Sequence, residues 1–115
     1  MGGGTSLGPV WCLNVTLTIK EDMVDQFLVK FAEIARHVEA NEPETFSYEI
    51  GRGDQEETKN TFIIVERYSE KEKLRDPHQT SELFKKFKEW MEKSGCVVSK
   101  SGFSFNELGI GYVQR

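Results

Sequence analysis

His78 is the side chain of this 115-residue sequence best suited to acid–base chemistry, because an imidazole ordinarily titrates near neutral pH. It follows Pro77, which can begin a helix, and the positive end of a nearby helix would favour the neutral, basic ring. The alternative is that His78 only anchors the start of that helix through hydrogen bonds. His37 has no companion ligand at metal-binding spacing, so the sequence predicts no metal site.

Two tyrosines and an aromatic stripe are the candidate ligand-binding groups. Tyr48 and Tyr68 stand on predicted strands and could donate hydrogen bonds to a ligand carbonyl or phenolate, although burial with a satisfied hydroxyl explains a tyrosine equally well. Phe84, Phe87 and Trp90 follow one another at helical spacing. They could line a pocket for a flat ligand, but aromatic residues in this pattern more commonly form plain core.

Hydrophobic periodicity predicts the strands and helices that would position these residues. Residues 11–19 alternate apolar and polar side chains, which predicts a strand, and a helix then starts at residues 20–22 with the acidic Glu21 and Asp22 in its first turn. Its buried stripe, at spacings of four, three and four, ends before Pro43, which cannot continue a helix. The stripe consists of Phe27, Phe31, Ile34 and Val38.

Alternation over residues 46–50 and 61–68 predicts two further strands joined as a hairpin. In the third strand we expect Glu66 to be exposed on the outer face or paired with a base such as Arg67. Ser69 is expected to cap a short helix, and Pro77 to begin a longer one that ends at Gly95. Residues 96–115 hold one strand or two short ones.

This order of elements predicts an α+β, ferredoxin-like split βαβ fold, a four-stranded antiparallel sheet with helices on one face. The other face would carry Cys12, Ile63 and Val65, and a partly apolar open face predicts a partner sheet. We therefore expect a homodimer formed through the sheet face. Residues 1–10 are expected to be a flexible leader, and residues 11–115 one domain.

Composition excludes several classes of function. A charged share of 30% with a net charge of −4 gives no positive field for nucleic acid, and no run reaches the ~20 apolar residues of a membrane span. The two cysteines have no metal-type spacing and no signal-like segment accompanies them, so we expect buried thiols in the cytoplasm. The first residues match a loose myristoylation pattern at Gly2, which a flexible leader or a cloning remnant explains better.

Two segments resemble a known family. Glu42-Pro43-Glu44-Thr45-Phe46-Ser47-Tyr48-Glu49 resembles the Glu-Pro-Gly segment and aromatic second strand of the antibiotic biosynthesis monooxygenase domain, with Glu44 in place of glycine. The stretch from Phe62 to Tyr68, then Leu74, His78-Gln79-Thr80-Ser81 and Phe84, resembles that family's third strand and its His-x-x-Ser-x-x-Phe helix. Order and spacing agree from about Val15 to Trp90, with one residue added before His78.

The resemblance implies a dimeric α/β barrel with a pocket between sheet and helices in each subunit. It implies cofactor-independent oxygenation or oxidation of a small phenolic or quinol-type aromatic, with His78 as base and Tyr48 as orienting donor. Asn14 is similar to a polar strand-one residue that relatives direct into the pocket, yet its phase opposite to Leu13 and Val15 places it toward the partner. The alternatives are a non-catalytic, stress-associated binding module and an isomerase of a small oxo compound.

Overall fold

The computed structural model describes residues 10–114, in which four antiparallel strands form one sheet with two helices packed on one face. In chain order the elements are β1 (Trp11–Ile19), α1 (Val24–Asn41), β2 (Thr45–Arg52), β3 (Thr61–Tyr68), α2 (Glu82–Ser94) and β4 (Val97–Asn106). The strand order across the sheet is β2-β3-β1-β4. This confirms the predicted ferredoxin-like arrangement.

The core lies between the sheet and α1. The predicted stripe of α1 is buried in full, and it packs against Leu17 and Ile19 of β1 and Phe62 and Ile64 of β3. Phe27 is fully buried, with its ring 5.6 Å from Phe62 and 5.9 Å from Phe87 of α2. The apolar faces of the strands and of α1 thus pack together in one layer, and the burial of this layer is the main stabilising contribution to the fold.

The helix α2 begins later than the sequence predicts. Asp76, which precedes Pro77, has an extended conformation (φ −137°, ψ 115°), as expected because proline disfavours the helical region for the residue before it. His78 lies in a separate wide turn, Leu74–Gln79, and α2 begins only at Glu82 because the backbone of Ser81 is extended (φ −65°, ψ 145°) and interrupts the helix. Ser81 caps α2 by accepting a hydrogen bond from the amide of Phe84, and Gly95 (φ +64°) ends it as predicted.

The capping role predicted for Ser69 is also wrong. Its hydroxyl is buried without a hydrogen-bond partner among the described residues, while its amide donates to the carbonyl of Glu44. This hydrogen bond holds the end of β3 beside the start of β2.

The prediction that Glu66 is exposed on the outer sheet face is wrong. Glu66 is 5% exposed and points to the helix side together with Phe62, Ile64 and Tyr68, because all four share the parity of β3. Outward-facing residues include Cys12, Ile63 and Val65, as predicted. Cys12 is nevertheless buried there, and its thiol donates to the carboxylate of Glu107 beyond β4.

Both cysteines are free and buried, as predicted. Within residues 10–114 no helix is both long and apolar enough to cross a membrane. The myristoylation-like Gly2 and nearly all of the predicted leader lie outside the described residues.

Candidate active site

A cavity of about 550 Å³ lies between α2 and the inner face of the sheet. This volume falls in the range of small-molecule sites. Its walls are mainly apolar: Leu13, Val15, Leu17, Ile64, Leu74, Phe84, Phe87, Met91 and Val97. Gly102 of β4, opposite Val15 in the sheet, also lines it, and the missing side chain leaves room at this wall. The polar groups of the interior are His78, Tyr48 and Glu66.

His78 is buried at one end of the cavity by its turn and by Phe84, whose ring lies 4.7 Å from the imidazole. Its Nδ1 lies 3.1 Å from a carboxylate oxygen of Glu42, the residue that ends α1, and Glu42 is itself buried. Burial raises the pKa of Glu42, and a hydrogen bond from the Thr45 hydroxyl opposes that rise. The buried Glu42 carboxylate and His78 therefore form a dyad, in which Glu42 comes from the end of α1 and His78 from the turn before α2.

The dyad fixes the tautomer of the ring. Burial lowers the pKa of His78 to about 4, and the positive charge of His37 acts in the same direction, so the ring is neutral near pH 7. The Nδ1–H of the ring then donates a hydrogen bond to the Glu42 carboxylate, and Nε2 keeps its lone pair. No described residue bonds to Nε2. The neutral ring expected from the sequence is confirmed, although burial rather than the start of a helix causes it.

Tyr48 stands beside His78, with the two rings edge to face at 5.0 Å, and its other side stacks on Phe31 of α1. Burial raises the pKa of Tyr48 well above its usual range, and the charges of Glu66 and Glu42 add to this, so the hydroxyl stays protonated. No hydrogen bond joins that hydroxyl to another described residue. Tyr48 thus offers the cavity a free donor.

Glu66 lies opposite Tyr48 in the pairing of β2 with β3. One of its oxygens accepts a hydrogen bond of 2.5 Å from the hydroxyl of Tyr68, and the other has no partner among the described residues. Burial raises the pKa of Glu66 to about 7, the bond from Tyr68 lowers it, and the charge of Glu42 raises it. Near neutral pH the group is therefore divided between carboxylate and acid.

The remaining residues predicted for the site divide into three groups. Phe84 and Phe87 line the cavity. Neither Tyr68 nor Trp90 lines the cavity: Tyr68 is fully buried, donates to Glu66 and lies 6.3 Å from the ring of His78, while Trp90 stacks on Phe87 with Lys30 over its ring. Asn14 is not brought to this cavity: it shares the outer face with its sheet partners Val65 and Phe103.

Sequence reasoning missed Glu42 and assigned Glu66 no chemical role. The signal for Glu66 was present, since its parity matches the apolar residues Phe62 and Ile64, and a carboxylate on a buried face requires an explanation. Glu42 gave no local signal, because a polar residue before Pro43 reads as the end of a helix. Its contact with His78 spans 36 positions of the chain.

Fold and site together define a ferredoxin-like protein with a mainly apolar cavity between its sheet and its second helix. The family model of the antibiotic biosynthesis monooxygenases matches residues 11–90, most of the chain. The chain belongs to this family, as the segments around Glu42 and His78 indicated. No curated protein matches the chain in sequence.

Solved structures agree with this fold. A protein provisionally assigned as an antibiotic biosynthesis monooxygenase from Caulobacter crescentus is 20% identical, with a TM-score of 0.77 over 87% of this chain and 91% of its own. A similarly assigned protein from Bacteroides thetaiotaomicron is 17% identical, with a TM-score of 0.78 over 96% of this chain and 100% of its own. One from Nitrosomonas europaea is 14% identical, with a TM-score of 0.75 over 88% and 92%. At these identities the likeness concerns the fold.

Proposed function

We propose that the chain is a cofactor-independent monooxygenase or oxidase of a small phenolic or quinol-type aromatic, working in the cytoplasm. One observation carries the proposal: an apolar cavity of about 550 Å³ ends at an unengaged Tyr48 hydroxyl and an unengaged His78 nitrogen. The apolar walls suit a flat ring, and the two polar groups suit one hydroxyl oxygen, to which Tyr48 donates and from which His78 accepts.

The proposed reaction requires the protein to bind and ionise the ligand, which then reacts with dioxygen. A phenolate is far richer in electrons than a phenol, so ionising the ligand prepares it for reaction with dioxygen. In the monooxygenase reaction one oxygen atom enters the ring and the other leaves as water with two hydrogens from the substrate. In the oxidase reaction a quinol gives a quinone and hydrogen peroxide. In both, the site binds the ring, excludes water and moves a proton.

Oxygen uptake by metal-stripped protein against anthrones, hydroquinones and dihydroxynaphthalenes tests the proposal. We expect uptake above autoxidation for at least one compound, and a loss of at least about tenfold in His78→Gln and Tyr48→Phe. Gly102→Phe should abolish uptake because its side chain enters the cavity, where an added Cβ meets no atom closer than 3.9 Å. Ser104→Phe, further along the inner face of β4 and outside the cavity lining, is the matched control.

An isomerase of a small oxo compound is the second candidate, because the same acid–base groups can move a proton between two carbons. The product would then keep the mass of the substrate and no oxygen would be consumed. The third alternative is a non-catalytic, stress-associated binding module whose pocket has lost its chemistry or is filled by its own side chains. The cavity of about 550 Å³ argues against the filled form, and a module that binds phenols without consuming oxygen would support the other form.

A further inference from the structure

We propose that Glu66, and not His78, accepts the phenolic proton and is the catalytic base of this site: its free carboxylate oxygen takes the proton from a neutral phenolic hydroxyl to whose oxygen Tyr48 donates. This proposal rests on the function proposed above and assigns to Glu66 the proton transfer that the sequence assigned to His78. It also names the form of the substrate, a phenol that enters the cavity protonated.

The geometry places Glu66 at the inner, polar part of the cavity. The parity of β3 directs it inward, and its neighbours across the sheet are Tyr48 on β2 and Leu13 on β1, both of which line the same cavity. Because Tyr68 occupies one carboxylate oxygen, the other is left for a ligand. A carboxylate that is 5% exposed and only half engaged is costly unless something bound in the cavity uses it.

The groups that face Glu66 determine when it can act as a base. From the elements packed around it these are Tyr68, Tyr48, Glu42 and His78, with Lys88, Glu92 and Lys100 on the outer cavity walls. Burial is the largest influence and brings the pKa of Glu66 to about 7. Burial brings that of His78 to about 4. General bases work best when their pKa lies near the operating pH, which favours Glu66 over His78.

The step itself is a balanced proton transfer. The phenolic O–H bond breaks, the proton forms a new O–H bond with the free oxygen of Glu66, and the electron pair stays on the ligand oxygen. Tyr68 continues to donate to the other oxygen. The negative charge moves from carboxylate to phenolate within the cavity, where the Tyr48 hydroxyl donates to it.

Binding of 2-naphthol under anaerobic conditions tests the contact without requiring turnover. The Glu66 carboxyl is followed by carbon-13 NMR, its signal assigned by its loss in Glu66→Gln. A phenol that donates to the carboxylate stabilises the ionised form, so the pKa of Glu66 should fall by about one unit when 2-naphthol binds. By linkage, affinity should then rise about fivefold between about pH 6 and about pH 8. Glu82→Gln, an exposed carboxylate in the first turn of α2, is the control and should keep this rise.

The pH dependence of kcat/KM is the second test of this proposal. In the wild type kcat/KM should rise with pH through about 7, and Glu66→Gln should lose this limb together with at least about tenfold in rate. Tyr68→Phe keeps the base but removes the bond that lowers its pKa, so the limb should move to higher pH. If Glu66 and Tyr68 had only a structural role, Tyr68→Phe would leave the pH dependence of kcat/KM unchanged. If His78 were the base, the rate would be flat from about pH 6 to about pH 8.

The outcomes separate the two proposals. A Glu66 signal that 2-naphthol leaves unchanged, or no binding of 2-naphthol at either pH, overturns the assignment of Glu66 even if oxygen is consumed. A linked titration without oxygen uptake supports the contact between Glu66 and the phenol and overturns the oxygenase.

Discussion

At the scale of single residues, the site places two groups with opposite pKa shifts in one cavity. Burial holds His78 uncharged and also disfavours the ionised form of Glu66. Each shift is a difference between the folded and unfolded chain, so each makes the free energy of unfolding depend on pH. The two dependences have opposite signs.

The pH dependence of stability follows from these signs. The pKa of His78 falls from 6.5 to about 4 on folding, so its contribution is lost as pH falls through that window. The pKa of Glu66 rises from 4.5 to about 7, so its contribution is lost as pH rises. In the wild type they oppose each other. We expect stability to increase more steeply with pH in Glu66→Gln than in the wild type, and less steeply in His78→Gln.

Urea unfolding of the three proteins at several pH values checks this prediction. Comparison between variants removes the contribution of the surface carboxylates, which all three share. Equal slopes in all three proteins would mean that neither group changes its pKa on folding.

At the scale of elements, the short turn between β3 and α2 determines where His78 points. Ser81 links the two parts, since its hydroxyl accepts from the amide of Phe84 and also donates to the carbonyl of His78 at 3.0 Å. The cap of α2 and the position of the candidate site residue therefore depend on one side chain.

Replacing Ser81 should weaken both the N-cap of α2 and the hydrogen bond that positions His78. We expect Ser81→Ala to cost about 1 kcal/mol in the free energy of unfolding, the usual value for a lost N-cap. Ser81→Asp should recover the cap but not the donor to His78. Thermal unfolding measures the first effect, and ligand affinity or oxygen uptake the second. A Ser81→Ala protein as stable as the wild type would contradict the capping role.

At the scale of the whole molecule, the outer sheet face is an apolar surface that a single chain leaves uncovered. Phe103 is 69% exposed there, with Ile63 at 39% and Phe105 at 37%. The side-chain oxygen of Asn14 on this face is buried without a partner among the described residues. We propose that a second copy of the chain covers it, as predicted from the bare face, and that Asn14 serves this contact.

Sedimentation velocity tests the dimer. The wild type should sediment as a dimer, and Phe103→Glu should shift it to monomer because a charge would be buried at the contact. Val29→Glu is the matched control, since Val29 is a similarly exposed apolar residue (63%) on α1, away from this face. A monomeric wild type, or equal effects of the two substitutions, would contradict the sheet-face dimer.

The sequence by itself determined the order of the elements and the inner face of the sheet. Alternation in β1, the stripe of α1 and the glycine that ends α2 are local patterns, because the backbone repeats every two residues in a strand and every 3.6 in a helix. These repeats placed Tyr48 inside and Asn14 outside. The same alternation placed Glu66 on the inner face of β3. The sequence analysis nevertheless predicted an exposed Glu66, because charged residues usually lie on the surface.

Only the tertiary structure decided which polar groups meet. Glu42 reaches His78 because the end of α1 and the turn before α2 pack together, a contact between positions 36 apart that no periodicity encodes. The start of α2 was decided similarly, since Pro77 can begin a helix but the extended backbone of Ser81 separates the turn from the helix. Burial then set the pKa values of His78 and Glu66, because the cost of desolvation depends on what surrounds a group and not on its neighbours in sequence.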